Sequence, residues 1–271
     1  MAKLTIGSVD YAYTVWHEQC EQTIVCLHGF TGTKDTWAQF AEALPTTRII
    51  AVDLIGHGHT SAPKDTVLYT TEAQVESLRQ LFDTLQLRSV ILLGYSMGGR
   101  LALSFATRYP QYIEQLILES ASPGLTDDQA RAARKEADDA LAQRIEQDGV
   151  EAFVNTWENI PLFATQKHLP APIQQAVRQE RLSQRSHGLA NSLRGFGTGV
   201  QPSNWHVLDT LTMPVLLLTG AHDEKFCVLA EKMEKHLKNV THLVIPDVGH
   251  AIHVENLAQF ATMVKEAISL T

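Results

Sequence analysis

Cysteine is scarce in this chain: Cys20, Cys26 and Cys227 are the only three among 271 residues. An odd count at no metal-like spacing argues against a disulfide framework and points to a reduced, cytoplasmic protein. Long apolar runs are missing too, and none approaches the ~20 residues a membrane span needs. The segment Met1–Ile6 lacks the apolar core of a signal peptide and alternates like a strand. Basic charge is in the minority, with 22 Lys and Arg against 30 Asp and Glu for a formal net charge of −8. That balance disfavours nucleic acid or an anionic membrane surface as partner. No His, Cys, Asp or Glu cluster has metal-ligand spacing, and no glycine-rich phosphate or dinucleotide loop occurs, so neither a metal nor an organic cofactor is expected. Repeats and low-complexity tracts are also absent. What remains is ordinary globular composition, 44% hydrophobic and 19% charged.

Short apolar runs alternate with amphipathic stretches, the pattern of βαβ units around a mostly parallel, doubly wound sheet. Leu4–Gly7 and Tyr11–Trp16 read as a hairpin, Thr23–Leu27 as a buried strand, Asp35–Leu44 as a helix and Arg48–Leu54 as a strand. Thr70–Leu87 places Val75, Leu78, Leu81, Phe82 and Leu85 on one helical face. Ser89–Leu93 and Gln115–Glu119 are strand-like. From Gly124 to Trp205 strand patterning disappears, and helical spacing covers Asp127–Gln147, Val150–Glu158, Pro172–Arg185 and Leu189–Arg194. Alternation resumes with Pro214–Thr219, Cys227–Leu237, His242–Ile245 and Glu255–Leu270. The expected architecture is one α/β domain over residues 1–271, with a helical lid inserted at about 124–205 above the carboxyl edge of the sheet.

The strongest chemical signal is Gly94-Tyr95-Ser96-Met97-Gly98, between a strand and a helix. A nucleophile on so sharp a turn needs small neighbours, and the N-terminus of the following helix favours negative charge near the serine. The partners of such a serine follow it in the order acid, then histidine, each after a later strand. Asp223 follows the run Val215–Thr219, and His250 follows His242–Ile245. Glu224 competes with Asp223, and His253 with His250, although His253 lies past the loop at the start of a helix. The amides of Met97, after the nucleophile, and of Phe30, in His28-Gly29-Phe30, are the candidate oxyanion donors. His28, His57 and His59 read as loop architecture.

Several segments carry a closer resemblance: Gly94–Arg100, Ser122–Leu125, Gly188–Pro202 and Asp223–Phe226. With them the whole chain resembles the 2-succinyl-6-hydroxy-2,4-cyclohexadiene-1-carboxylate synthases of menaquinone biosynthesis, within the α/β-hydrolase superfamily. The resemblance implies an α/β-hydrolase fold and a cofactor-independent lyase that eliminates pyruvate from a small anionic polycarboxylate. It assigns Tyr95, Arg100, Arg134, Trp157 and Arg181 to the substrate pocket. Arg100 lies one helical turn beyond Ser96, and burial there would demand an anionic partner. Arg134 and Arg181 read equally well as solvated lid residues, and Trp157 as lid core. Lys225 could neutralise a substrate carboxylate or pair with Asp223 or Glu224. Two rival functions stay open on the motifs alone: a serine hydrolase of esters, thioesters or carbon–carbon bonds, and a binding module that reuses the fold.

Overall fold

Alternate side chains of each central strand point to opposite faces of the sheet, and helices cover both. In the computed structural model, which describes residues 1–269, the strands are β1 (Ala2–Ile6), β2 (Val9–Trp16), β3 (Thr23–Leu27), β4 (Arg48–Val52), β5 (Val90–Tyr95), β6 (Ile113–Glu119), β7 (Val215–Gly220) and β8 (Val240–Ile245). The helices are α1 (Ala38–Ala43), α2 (Thr71–Thr84), α3 (Met97–Arg108), α4 (Asp128–Trp157), α5 (Ala171–Leu182), α6 (Ser186–Phe196), α7 (Glu224–Glu234), α8 (Ile252–Glu255) and α9 (Leu257–Ser269). All eight strands join one sheet in the order β1-β2-β4-β3-β5-β6-β7-β8. The pairs β1/β2 and β2/β4 are antiparallel, and every pair from β3/β4 to β7/β8 is parallel. This is the mostly parallel, doubly wound sheet expected from the strand and helix alternation, in the arrangement that the resemblance to α/β-hydrolases implies.

The two faces have separate cores. Ile24, Cys26, Ile91, Leu93, Ile117 and Leu216 pack against Phe40 of α1 and Phe260 and Val264 of α9. Their neighbours Val25, Leu27, Leu92, Leu116 and Leu217 face Phe82 of α2, Leu101 and Phe105 of α3, and Met233 of α7. Period-two alternation thus feeds both layers, as a sheet buried on both sides requires. A third, smaller core joins Ala142, Ile145 and Val154 of α4 to Leu189 and Leu193 of α6. These helices belong to the segment between β6 and β7, which holds no strand among the described residues.

Besides end shifts of up to three residues, such as α7 opening at Glu224 instead of Cys227, local structure departs from the sequence reading in three places. The helix expected over Asp35–Leu44 opens as a 3₁₀ turn, Lys34–Trp37, because the Thr33 hydroxyl accepts from the Asp35 N–H at 3.1 Å and tightens the start. The two lid helices expected at Asp127–Gln147 and Val150–Glu158 run as one helical element kinked at Gly149, whose φ of 84° suits glycine. The terminal helix breaks at Asn256 into α8 and α9, and Leu270 lies outside the described residues.

Phe105 is fully buried, with ring centroids 4.9 Å from Phe82, 5.5 Å from Tyr109 and 5.9 Å from Tyr112. Phe105→Ala is expected to cost about 3–5 kcal/mol. Urea unfolding should show a lower midpoint at unchanged slope. A loss below about 1 kcal/mol would mean that this layer does not carry the core.

Candidate active site

Ser96 stands alone between β5 and α3, at φ 49° and ψ −105°. For a non-glycine residue this conformation costs roughly 1–3 kcal/mol and persists only when its surroundings hold it. The Ser96 N–H donates to the Glu119 carbonyl at the end of β6 at 2.8 Å, and the Arg100 N–H donates to the Ser96 carbonyl at 3.0 Å. Behind the turn, Gly98 touches the main chain of Leu27 and His28, where a Cβ would collide with two carbonyl oxygens. That approach sets the first turn of α3 against the segment leading to Phe30. Met97 opens the helix, where amides lack intrahelical acceptors, so its N–H is free to face a ligand.

The acid and the base arrive on adjacent loops. Beyond the β7/β8 pairing, the Ala221 N–H donates to the Ile245 carbonyl at 2.8 Å and the His222 N–H to the Val248 carbonyl at 2.9 Å. Asp223 then caps α7, and its Oδ2 lies 2.6 Å from His250 Nδ1. On the far side of the ring, His250 Nε2 lies 2.9 Å from Ser96 Oγ. The carboxylate accepts a hydrogen bond from Nδ1–H, which leaves Nε2 to accept from the serine hydroxyl. The side chains of His250 and Asp223 are 2% and 5% exposed, so their bond lies out of water, while the bond to Ser96 is part-buried. Phe226 and Tyr95 flank the imidazole at centroid distances of 4.7 and 5.4 Å. The competitors are placed elsewhere. His253 Nδ1 faces Glu119, 2.8 Å from each carboxylate oxygen, while Glu224 merely opens α7 and Asp223 meets the imidazole.

The pocket residues implied by resemblance meet the structure unevenly. Arg100 donates to the Phe196 carbonyl at 2.7 Å and to Gln201 Oε1 at 3.2 Å, with its guanidinium 4.6 Å from the Phe196 ring centre. The argument that burial by itself demands an anionic partner is thereby corrected: neutral lid acceptors take both bonds from Nη1, while the charge has no carboxylate partner among the described residues. Burial first, then the nearby Arg134, push its pKa down to about 10. Arg134 is 43% exposed and bonds Asp138 at 2.8 Å within α4. Arg181 is 7% exposed, donates to Gln166 Oε1 at 2.9 Å and lies 4.6 Å over Phe163, with no ion-pair partner among the described residues. Burial moves it below the ordinary arginine range. Trp157 packs 5.5 Å from Phe30 and 5.7 Å from Phe163, and its indole N–H is buried without an acceptor. Lys225 lies 5.5 Å over Phe226 and pairs with neither Asp223 nor Glu224.

Sequence reasoning overlooked Phe163, whose ring approaches His250 to 6.3 Å, and Glu119. An acid closing the apolar strand Ile113–Glu119 was the available signal for the second. Among the described residues, no three His, Cys, Asp or Glu side chains are grouped to hold a metal, and no helix is long and apolar enough to cross a membrane.

Comparison with known proteins bears on the fold and the family. A family model described as alpha/beta hydrolase fold matches residues 22–257. A Bacillus subtilis (strain 168) protein, provisionally named 2-succinyl-6-hydroxy-2,4-cyclohexadiene-1-carboxylate synthase, is 45% identical over 96% of this chain and 95% of its own length. The Salmonella typhimurium synthase of that name is 31% identical over 87% of this chain and 89% of its own. The structure of MenH from S. aureus superposes with a TM-score of 0.90 at 38% identity, covering 94% of this chain and 96% of that one. A thermophilic esterase from Thermogutta terrifontis, with malate bound, reaches 0.84 at 25% identity over 99% and 97% of the two chains.

Two buried histidines beside the Phe30 loop make stability depend on pH. His28 Nε2 accepts from the Leu54 N–H at 3.0 Å, so its Nδ1–H donates to the Gly29 carbonyl at 2.8 Å. Burial holds its pKa down at about 4, and burial aided by His28 holds that of His57 at about 3. Both values lie below the unfolded 6.5, so the unfolded chain binds more protons and the stability present above pH 6.5 is lost as pH falls toward the folded values. Each histidine contributes up to about 1.4 kcal/mol per pH unit. The urea midpoint should therefore drop between pH 7.5 and 5.5, and less steeply in His57→Gln. Equal slopes for the two proteins would contradict this account.

Proposed function

The chain belongs to the 2-succinyl-6-hydroxy-2,4-cyclohexadiene-1-carboxylate synthases, lyases of menaquinone biosynthesis with the alpha/beta hydrolase fold, and we propose that Ser96, His250 and Asp223 act as the base of its elimination. The carrying observation is the continuous bond path from Asp223 through His250 to Ser96, at 2.6 and 2.9 Å. His250 takes the Ser96 proton while Asp223 fixes the tautomer and stabilises the imidazolium. The serine oxygen, at the positive end of α3, removes a ring proton from 2-succinyl-5-enolpyruvyl-6-hydroxy-3-cyclohexene-1-carboxylate. As the ring double bond forms, the bond to the enolpyruvyl oxygen breaks. The departing enolate collects a proton from the imidazolium and ends as pyruvate. The N–H groups of Met97 and Phe30 stabilise charge on the substrate carbonyl during the transfer. No added group is required by this sequence of steps.

The substrate is a small anionic polycarboxylate, and the arginines on the lid side suit it: Arg100, Arg181 and, at the surface, Arg134. A planar guanidinium matches a carboxylate through two parallel bonds. Tyr95 and Trp157 form the walls, and the unpartnered indole N–H of Trp157 offers one donor. The cavity bounded by Phe30, Tyr95, Phe163 and Arg181 measures about 50 Å³. The three unpaired cysteines fit a reducing compartment, and we place the reaction in the cytoplasm.

Freshly generated substrate should yield pyruvate with the purified enzyme, without a burst and without a covalent adduct on Ser96. Accumulation of a Ser96 adduct during turnover would make the serine a nucleophile and overturn the base mechanism. Ser96→Ala, Asp223→Asn and His250→Ala should each lower kcat by several orders of magnitude, with the combined variant little worse than the worst single one. Arg100→Met should cut kcat/KM by about thirtyfold or more, the equivalent of roughly 2 kcal/mol from a lost buried charge pair. Hydrolysis of a small neutral ester should change far less. Equal damage to both would reassign Arg100 to holding the lid through Phe196 and Gln201.

A further inference from the structure

Glu119 is fully buried at the end of β6, in a layer otherwise made by Ile117, Ile252, Phe260 and Trp37. Its main chain and side chain serve different elements. The carbonyl accepts the Ser96 N–H at 2.8 Å, which fixes the height of the nucleophile turn above β6. The carboxylate accepts the His253 N–H at 3.1 Å and faces His253 Nδ1 at 2.8 Å from both oxygens. Among the described residues no other group donates to it. His253 is 5% exposed and cannot swing away, because its ring stacks on Trp37 at 4.8 Å and meets the edge of Tyr95 at 4.6 Å. His250 lies three residues earlier, on the short loop that leads into α8. That loop is pinned again where Glu255 accepts the Gly249 N–H at 2.6 Å.

A buried carboxylate and imidazole are costly to desolvate, and apolar side chains of similar volume would fill this layer at least as stably. Burial of the pair is therefore weak evidence for stability and better evidence for registry. One residue bonded to the main chain on both sides of the Ser96–His250 contact is placed to set that distance.

We propose that Glu119 is a positioning residue for the elimination: through the main chain of Ser96 and of His253, at the start of α8, it holds Nε2 of His250 at bonding distance from the serine oxygen. The inference rests on the triad reading. It assigns Glu119 and His253 no contact with substrate, so their removal disturbs proton transfer and spares binding.

Glu119→Gln preserves volume but turns one acceptor oxygen into an N–H₂ group facing His253 donors. We expect kcat on the natural substrate to fall roughly tenfold to hundredfold, the scale for reacting groups displaced by about an ångström. KM should stay within about twofold of wild type. The low-field proton signal of the short His250–Asp223 bond should move upfield in the variant, a change that simple destabilisation of a distant layer would not produce. His253→Gln, which removes the same bonds from the other end, should lose a similar amount of kcat, and the double variant little more. It carries the test alone if Glu119→Gln does not fold. All assays run below each variant's melting temperature. A folded Glu119→Gln or His253→Gln with wild-type kcat, an unshifted proton signal, or a change confined to KM would overturn the proposal. Ser96→Ala serves as the control: turnover surviving that change refutes the triad reading itself, whereas an inactive Ser96→Ala beside a fully active Glu119→Gln refutes only the role of Glu119.

Discussion

Everything at the catalytic end of this protein depends on one strained turn. Ser96 sits where an L-residue is disfavoured, and the strain persists because strand β5 is buried on both faces while α3 starts without a spare residue. Gly98 fits against the carbonyls of Leu27 and His28 because it has no Cβ, so the elbow and the Phe30 loop form one packed unit. The parallel strands β6, β7 and β8 end beside that turn, and each delivers one group to it: the Glu119 carbonyl, Asp223 and His250. The sheet supplies positions that the loops alone could not hold, since loop backbone is the most mobile part of a domain.

Above this rigid edge lies a helical layer with a core of its own, and the two meet through a few specific contacts. Arg100 reaches from α3 to the end of α6 and to Gln201, and the Ser192 hydroxyl lies 3.5 Å from Met97 Sδ. Trp157, Phe30 and Phe163 close the remaining space edge to face. A protein of net charge −8 can still attract a polycarboxylate when its cations are gathered and desolvated on one side. Arg181, buried and without a carboxylate partner, meets that condition better than Arg134, which spends its charge on Asp138.

Motif and spacing made the sheet, the nucleophile turn and the triad members legible in the sequence. A buried strand shows as an apolar run, and a group that must stand at the edge of the sheet follows such a run directly. Ser96, Asp223 and His250 obey that rule, and strand loss after Gly124 marked the helical insertion. Sequence position already favoured His250 over His253, but it could not show that Arg100 donates to a carbonyl and an amide. It also gave no hint that the Glu119 carboxylate lies against a ring more than a hundred residues away in the chain.

The difference is physical. Periodicity reports which face of an element is apolar, and short-range chemistry reports where the chain turns, so both are written locally. Hydrogen-bond partners, the burial of a charge and the angle at which two loops meet are fixed by packing between strands distant in sequence. Composition and pattern therefore determined the fold class, the elbow and the three residue types that the chemistry uses. Only the tertiary structure decided what His253 meets instead of the serine, which arginines keep unspent charge, and that Glu119 bonds the main chain of both Ser96 and His253, because those outcomes depend on neighbours that no local pattern encodes.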